Sequence, residues 1–308
     1  MSAVLNTNVA SLWASKNLLG AQNTLAGSVE RLSSGLRINR ARDDAAGLGV
    51  ANSLTAQING ANQGVRNLND AISMVQTAEG AIAAASNMGQ RILMLATQGA
   101  NGTLGGQERA AINNEMLELL SSINSISART SFSGNPLLDV EFDATGVIAD
   151  DAADTAALTT TKFSMQISNS SADMVKLEER AFIHVGYEDA DAETVAGQAE
   201  ALYTDVAALS ETSDSEDYQR VQDLANAYVV ALGTQRSQLG AYQNQMEYTL
   251  ANITELSSNL QSARSRVIDT DYASETAALT KGQILQQAAT AMLAQANQMP
   301  NVILTLLK

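Results

Sequence analysis

The stretch Leu239–Val267, LGAYQNQMEYTLANITELSSNLQSARSRV, decides how the rest of the chain is read. Its core-type positions, Leu239, Tyr242, Met246, Thr249, Ile253, Leu256, Leu260, Ala263 and Val267, alternate in steps of three and four without a break. A repeat averaging about 3.5 residues keeps one stripe of an α-helix facing a lengthwise partner. The register extends upstream through Gln235, its one polar member, to Leu232 and Tyr228. The spacing predicts a helix from about Val221 to Val267, roughly 70 Å long at the α-helical rise.

A partner of matching length begins at Leu54. Leu54, Ile58, Ala61, Val65, Leu68, Ile72, Val75, Glu79 and Ile82 repeat the same alternation, and Met88, Ile92 and Leu95 carry an apolar face on to Gln98. The segment 99–107, GANGTLGGQ, is rich in helix breakers. Ile112, Met116, Leu119 or Leu120, Ile123 and Ile126 then give a shorter helix that folds back on the first. The expected fold class is mainly α: a long coiled-coil-like helical rod formed by N- and C-terminal segments, with a small β or irregular central insert.

Both ends of the chain are amphipathic. Val4, Val9, Leu12, Leu19, Ala26, Val29, Leu32 and Leu36 form one stripe at helical spacing; Leu285, Ala288, Met292, Ala296, Met299, Ile303 and Leu306 form the other. An apolar terminus of this kind must be covered by the other end, by another subunit, or by both. Gly35 is placed to stop the first helix and Asp43 or Asp44 to cap the next. Past Thr130 the texture changes. Gly134-Asn135-Pro136 reads as a turn before Leu137-Leu138, 139–161 as loop, and 162–168 and 181–187 as strand-like alternation, with helix returning over 194–210.

Composition narrows the function. Aromatics make up 4% of the chain and the prolines are only Pro136 and Pro300, which suits helices packed along thin seams. Between Asp139 and Asp217 there are 19 acidic residues against Lys162, Lys176 and Arg180, so the charge of −15 belongs almost wholly to the middle. Such a segment repels a phosphate backbone, and nucleic acid is not an expected partner; it reads as a solvated surface. Met1 to Asn17 lacks the basic start and apolar run of a cleavable signal, and no apolar run is long enough to insert in a membrane.

Chemistry-bearing constellations are missing. There is no cysteine, and the one histidine, His184, has no companions for a zinc site. Neither H-E-x-x-H, G-x-S-x-G nor a Walker-type loop occurs. Asp43-Asp44 and Asp269 with Asp271 are better placed as helix caps, or as partners of Arg40, Arg42, Arg264 and Arg266, than as a cation site. No cofactor and no enzymatic activity are expected.

The segment 30–39, ERLSSGLRIN, followed by Asp43-Asp44-Ala45-Ala46-Gly47, resembles the N-terminal signature of bacterial flagellins. The segment 259–266, NLQSARSR, with Asp271-Tyr272-Ala273, 283–288, QILQQA, and 293–298, LAQANQ, resembles their C-terminal signature. The likeness covers about the first 140 and last 90 residues. It implies an inner domain of 1–44 with 269–308, a helical rod of 45–138 with 194–268, and a variable, surface-exposed acidic insert over 139–193. It also implies a homopolymer, exported through the flagellar type III route into the extracellular filament. Expected partners are an export chaperone on the C-terminal segment and the filament cap and hook-associated proteins.

Leu5, Leu12, Leu19, Met292, Ile303 and Leu306 are the expected filament-assembly residues, with packing inside one chain as their other use. The resemblance further implies recognition of the monomer by the vertebrate innate flagellin receptor through Arg91, Leu95 and Glu115. Leu93 and Met94 depart from the charged residues that strongly recognised members carry there. A hook-filament junction protein and a flagellin-like cell-surface binding protein are the competing structural readings.

Overall fold

The computed structural model describes residues 8–138, 161–178, 182, 195–210 and 213–306. Its elements run α1 (Val9–Ser34), α2 (Ala45–Gly99), α3 (Gly106–Arg129), β1 (Ser131–Phe132), β2 (Asn135–Pro136), β3 (Thr161–Gln166), β4 (Met174–Glu178), α4 (Val195–Ala208), α5 (Ser215–Ile268) and α6 (Tyr272–Leu306). The fold is mainly α, with a small β insert, as its periodicity predicts. Contacts divide the chain into two units, Met1–Ile58 with Ser258–Lys308 and Asn59–Ser257.

In the second unit α2 and α5 run antiparallel, tied by Ser257 Oγ donating to Asn62 Oδ1 at 3.0 Å and by the Arg236–Glu79 ion pair at 3.3 Å. The buried positions of α5 in this unit are Tyr218, Val221, Ala225, Tyr228, Leu232, Gln235, Leu239, Met246, Ile253 and Ser257. They face Leu68, Ala71, Val75, Ala78, Ile82 and Ile92 of α2 within one continuous core. The register differs from expectation in two places. Ser257 is buried and Leu256 exposed; on α2, Gly64 and Ala71 are buried while Val65 and Ile72 are half-covered. An α-helix turns through 3.6 residues, so a 3.5-residue seam drifts toward later positions, as from Leu256 to Ser257; on α2 the buried stripe instead takes the small residues one position earlier.

Helix α5 starts at Ser215, a turn and a half before the apolar register. Asp214 is the cause: its Oδ1 accepts the amides of Glu216 (2.9 Å) and Asp217 (3.3 Å), while the Asp217 carboxylate accepts the Asp214 amide (3.1 Å). The acidic turn before the rod is thus in part a helix cap, favoured by the positive end of the helix dipole. Helix α3 folds back onto α2 as expected and buries Ile112, Met116, Leu120 and Ile123. Tyr218 is buried beside it, its hydroxyl donating to the Arg109 carbonyl (3.2 Å) with the Arg109 guanidinium 5.9 Å from the ring centroid.

The chain reverses between β1 and β2 at Ser133 (φ 52°) and Gly134 (φ 84°). Two consecutive positive φ values make the turn whose twist suits a two-residue hairpin, one position earlier than the expected Gly-Asn-Pro turn. Of the predicted insert strands, 162–168 is found as β3, pairing antiparallel with β4. The loop beyond β3 lies directly on α2: a Cβ on Gly64 would stand 2.1 Å from the Ile167 carbonyl oxygen, and Asn67 Nδ2 donates to the Gln166 carbonyl at 2.7 Å. Glycine at 64 is what lets backbone touch backbone there. Of the expected loop over 139–161 only Thr161 is described, and it opens β3; the rest of it, most of the expected strand 181–187, and His184 lie outside the described residues.

Candidate functional site

The first unit carries the candidate site on α1 and α6. These helices run antiparallel: Asn8 Nδ2 donates to the Ala296 carbonyl (2.7 Å), Ser11 Oγ to Asn297 Oδ1 (3.0 Å), and Arg31 pairs with Glu275 (3.6 Å). Along the shared seam the buried residues are small and seven apart: Ala14, Ala21 and Ser28 on α1, Gly282, Ala289 and Ala296 on α6. Heptad spacing keeps them in register, and their size lets the two backbones approach closely.

The large apolar side chains go elsewhere. Leu12 and Leu19 are each 62% exposed, Trp13 61% and Met292 63%; Val9, Val29, Ile284 and Leu285 are also exposed. A groove of about 880 Å³ runs between the helices, lined by Trp13, Ala14, Leu285, Ala289, Met292 and others. Lys16 holds its ammonium 5.8 Å from the Trp13 ring centroid. Two helices that place alanines against each other and present leucine, tryptophan and methionine outward leave apolar side chains that no other described residue covers, a pattern that marks an interaction surface.

Of the expected assembly residues, Leu12, Leu19 and Met292 therefore sit on the outward face. Leu5 lies outside the described residues, and Ile303 and Leu306 fall within α6 with side chains outside the description. Trp13 lines the groove beside Met292, and Ile284 is exposed elsewhere on α6; neither is among the expected assembly residues, and a single tryptophan in an aromatic-poor chain, next to a stripe leucine, is the signal that points to the first.

The connections around α1 and α6 are held by backbone. Gly35 closes α1 in the left-handed region (φ 72°), donating to the Arg31 carbonyl at 2.9 Å. Arg37 N donates to the Ile268 carbonyl (2.7 Å) and Thr270 N to the Gly35 carbonyl (3.0 Å), a short antiparallel bridge. Asp44 is the cap of α2, accepting from Gly47 N at 2.8 Å, and Asp271 that of α6, accepting from Ala273 N at 2.9 Å. Asp43 instead gathers the amides of Arg40 (2.9 Å) and Asn39 (3.2 Å). The Arg40 amide above all, aided by that of Asn39 and by the Arg42 and Arg31 charges, holds its carboxyl below its ordinary value. Asp44 and Asp271 are thus helix caps, and Asp43 closes the turn before α2.

The three expected receptor contacts lie in the second unit. Arg91 reaches Glu115 Oε1 with Nη2 (2.6 Å) and Nε (2.9 Å), and both side chains are half-exposed. Leu95 is different: at 2% exposure it is part of the core, its side chain turned toward α3 and α5 and away from any surface partner. Among the described residues no helix is long and apolar enough to cross a membrane.

Two family models match the chain, the bacterial flagellin N-terminal helical region over residues 5–143 and the bacterial flagellin C-terminal helical region over residues 223–307. Flagellin of Halalkalibacterium halodurans is 36% identical over 305 residues, spanning 99% of this chain and 100% of the relative. Flagellin B of Vibrio cholerae is 34% identical over 375 aligned positions, covering 100% of each chain. Among solved structures, a putative flagellar hook-associated protein from Vibrio parahaemolyticus has a TM-score of 0.54 over 74% of this chain and 100% of that one, at 14% identity, a likeness of fold alone.

Proposed function

This chain belongs to the bacterial flagellin family, and on that premise we propose that its copies pack into a filament through Leu5, Leu12, Leu19, Met292, Ile303 and Leu306. The protein is a structural subunit of the flagellar filament, an extracellular appendage, and not an enzyme. The observation that carries the assembly surface is the set of large apolar side chains of α1 and α6 left exposed among the described residues. Identical subunits that join different surfaces head to tail generate an open helix, and burying this face removes apolar area from water at every step of growth. A contact of that kind has no closed end state, which is what a long filament requires.

In this arrangement residues 1–44 with 269–308 form the inner tube, 45–138 with 194–268 the surrounding rod, and 139–193 the acidic outer surface. Hook-associated and cap proteins meet the filament at its ends. An export chaperone covers the C-terminal segment before assembly, which keeps the same apolar face from premature contact. A helical reconstruction of the polymerised protein tests the packing: Leu12, Leu19 and Met292 are expected against a neighbouring subunit, and a filament in which they face solvent would overturn it.

A second function rests on Arg91 and Glu115. Their guanidinium and carboxylate form a half-exposed, preorganised pair on adjacent helices, the kind of rigid charged feature that a receptor reads. We infer that the vertebrate innate flagellin receptor engages the monomer there. Arg91→Ala is expected to raise the monomer concentration giving half-maximal response in receptor reporter cells by about 10-fold or more, the usual cost of an interface arginine. An unchanged dose response, or no response to the parent protein, sinks this function.

A further inference from the structure

Met292 is the large flexible side chain of the outward face, 63% exposed and bordering the groove beside Trp13, Leu285 and Ala289. The other described methionines are placed differently. Met116 and Met246 are fully buried and Met74 nearly so, Met88 and Met165 are partly buried against the same core, and Met94 and Met174 are exposed on α2 and β4 of the other unit. The chain has no cysteine, so its most accessible oxidisable sulfur is a thioether, and on α1 and α6 the described one is Met292.

We propose that Met292 is an oxidation site through which peroxide withholds free subunits from assembly; the proposal rests on the packing of this face against a second copy. The step is a two-electron oxygen transfer. The sulfur lone pair attacks the near oxygen of a hydroperoxide, the O–O bond breaks and an S–O bond forms. The hydroperoxide leaves as water or an alcohol, and the thioether becomes a sulfoxide. A flexible apolar side chain is thereby made polar and chiral. In the lone subunit this costs nothing, because solvent surrounds the sulfur. In the filament the new S–O dipole gives up its water beside Trp13, Leu285 and Ala289, and Lys16, Asn17 and Gln295, which border the same groove, must be stripped of theirs before they can serve it as donors. Reduction by methionine sulfoxide reductases returns the thioether and makes the block reversible.

The test is a competition within one sample of the full-length protein. Monomer is partly oxidised with hydrogen peroxide, polymerised on seeds, and separated into filament and residual soluble pools, and sulfoxide is quantified at each methionine by peptide mass spectrometry. Met292 sulfoxide is expected to be enriched in the soluble pool by about 10-fold, the factor that taking one polar group out of water implies. Met174, on the insert hairpin, is expected to divide equally. Equal division of Met292 sulfoxide overturns the proposal, as does failure of the soluble pool to regain assembly after reductase treatment. Peroxide applied to finished filaments separates the two ideas: Met292 oxidised there as fast as in monomer means that the face is not packed at all. Protection in filaments together with equal division leaves the packing intact and removes only the oxidation block.

Discussion

A chain carrying both Leu12→Asp and Leu19→Asp is expected to lose seeded polymerisation while remaining folded. Each leucine exposes well over half of its side chain in the lone molecule. Covering it in a filament returns about 1–2 kcal/mol at the usual value per area of apolar surface. Two such losses correspond to roughly 30-fold or more in the concentration at which filaments grow, since about 1.4 kcal/mol is tenfold. Two carboxylates forced under a neighbouring subunit add a desolvation cost at least as large, and the total rise is expected to reach on the order of 10³-fold. The monomer barely notices. Both positions face water, and aspartate in place of leucine costs about 0.5 kcal/mol of helix propensity at each. Light scattering on seeds gives the first quantity and thermal unfolding by circular dichroism the second. Normal growth would show that these leucines are not in the contact, and a collapsed melting curve would show that they serve the fold.

The same two leucines mark where sequence and structure part. The 3-4 alternation is enough to place α2 and α5, because in a long paired helix burial and periodicity are one signal. Gly35 as a helix stop and Asp44 as a cap are equally legible, since each follows from local backbone chemistry. At the termini the largest apolar residues look like a seam, yet the seam within the molecule is made by Ala14, Ala21, Ser28, Ala289 and Ala296. Hydrophobicity says that a stripe will be covered but not by whom, and small residues score weakly in any periodicity count. Strand β4 is not legible in the sequence for a related reason. Its five residues alternate, with Val175 and Leu177 buried, but so short a run has little periodicity to measure. Leu95 shows the converse: a family position carried over by motif says nothing of whether the side chain reaches the surface.

Tyr228→Ala is expected to destabilise the second unit by about 3–5 kcal/mol, the range for truncating a buried aromatic ring. Tyr228 has no exposed surface and sits where α2 and α5 come together over Gly89; a Cβ on that glycine would lie 3.2 Å from Tyr228 Cδ1. The ring thus fills the space that the missing side chain leaves, and the long helices have little freedom to close a void between them. Tyr228→Phe keeps the ring and is expected to cost far less. The pair also separates packing from protonation. Burial pushes the Tyr228 phenol well above its ordinary value of 10.0. The neutral form is the one the fold holds, so this contribution is complete below pH 10 and is lost as pH rises beyond it, where the unfolded chain ionises and the folded one does not. The loss approaches about 1.4 kcal/mol per pH unit in that window. Denaturant unfolding at pH 8 and above pH 10 measures both effects: the parent should weaken with alkali more steeply than Tyr228→Phe. Equal slopes would mean that the ring is wet, and a loss below about 1 kcal/mol for Tyr228→Ala would mean that α2 and α5 do not close on it.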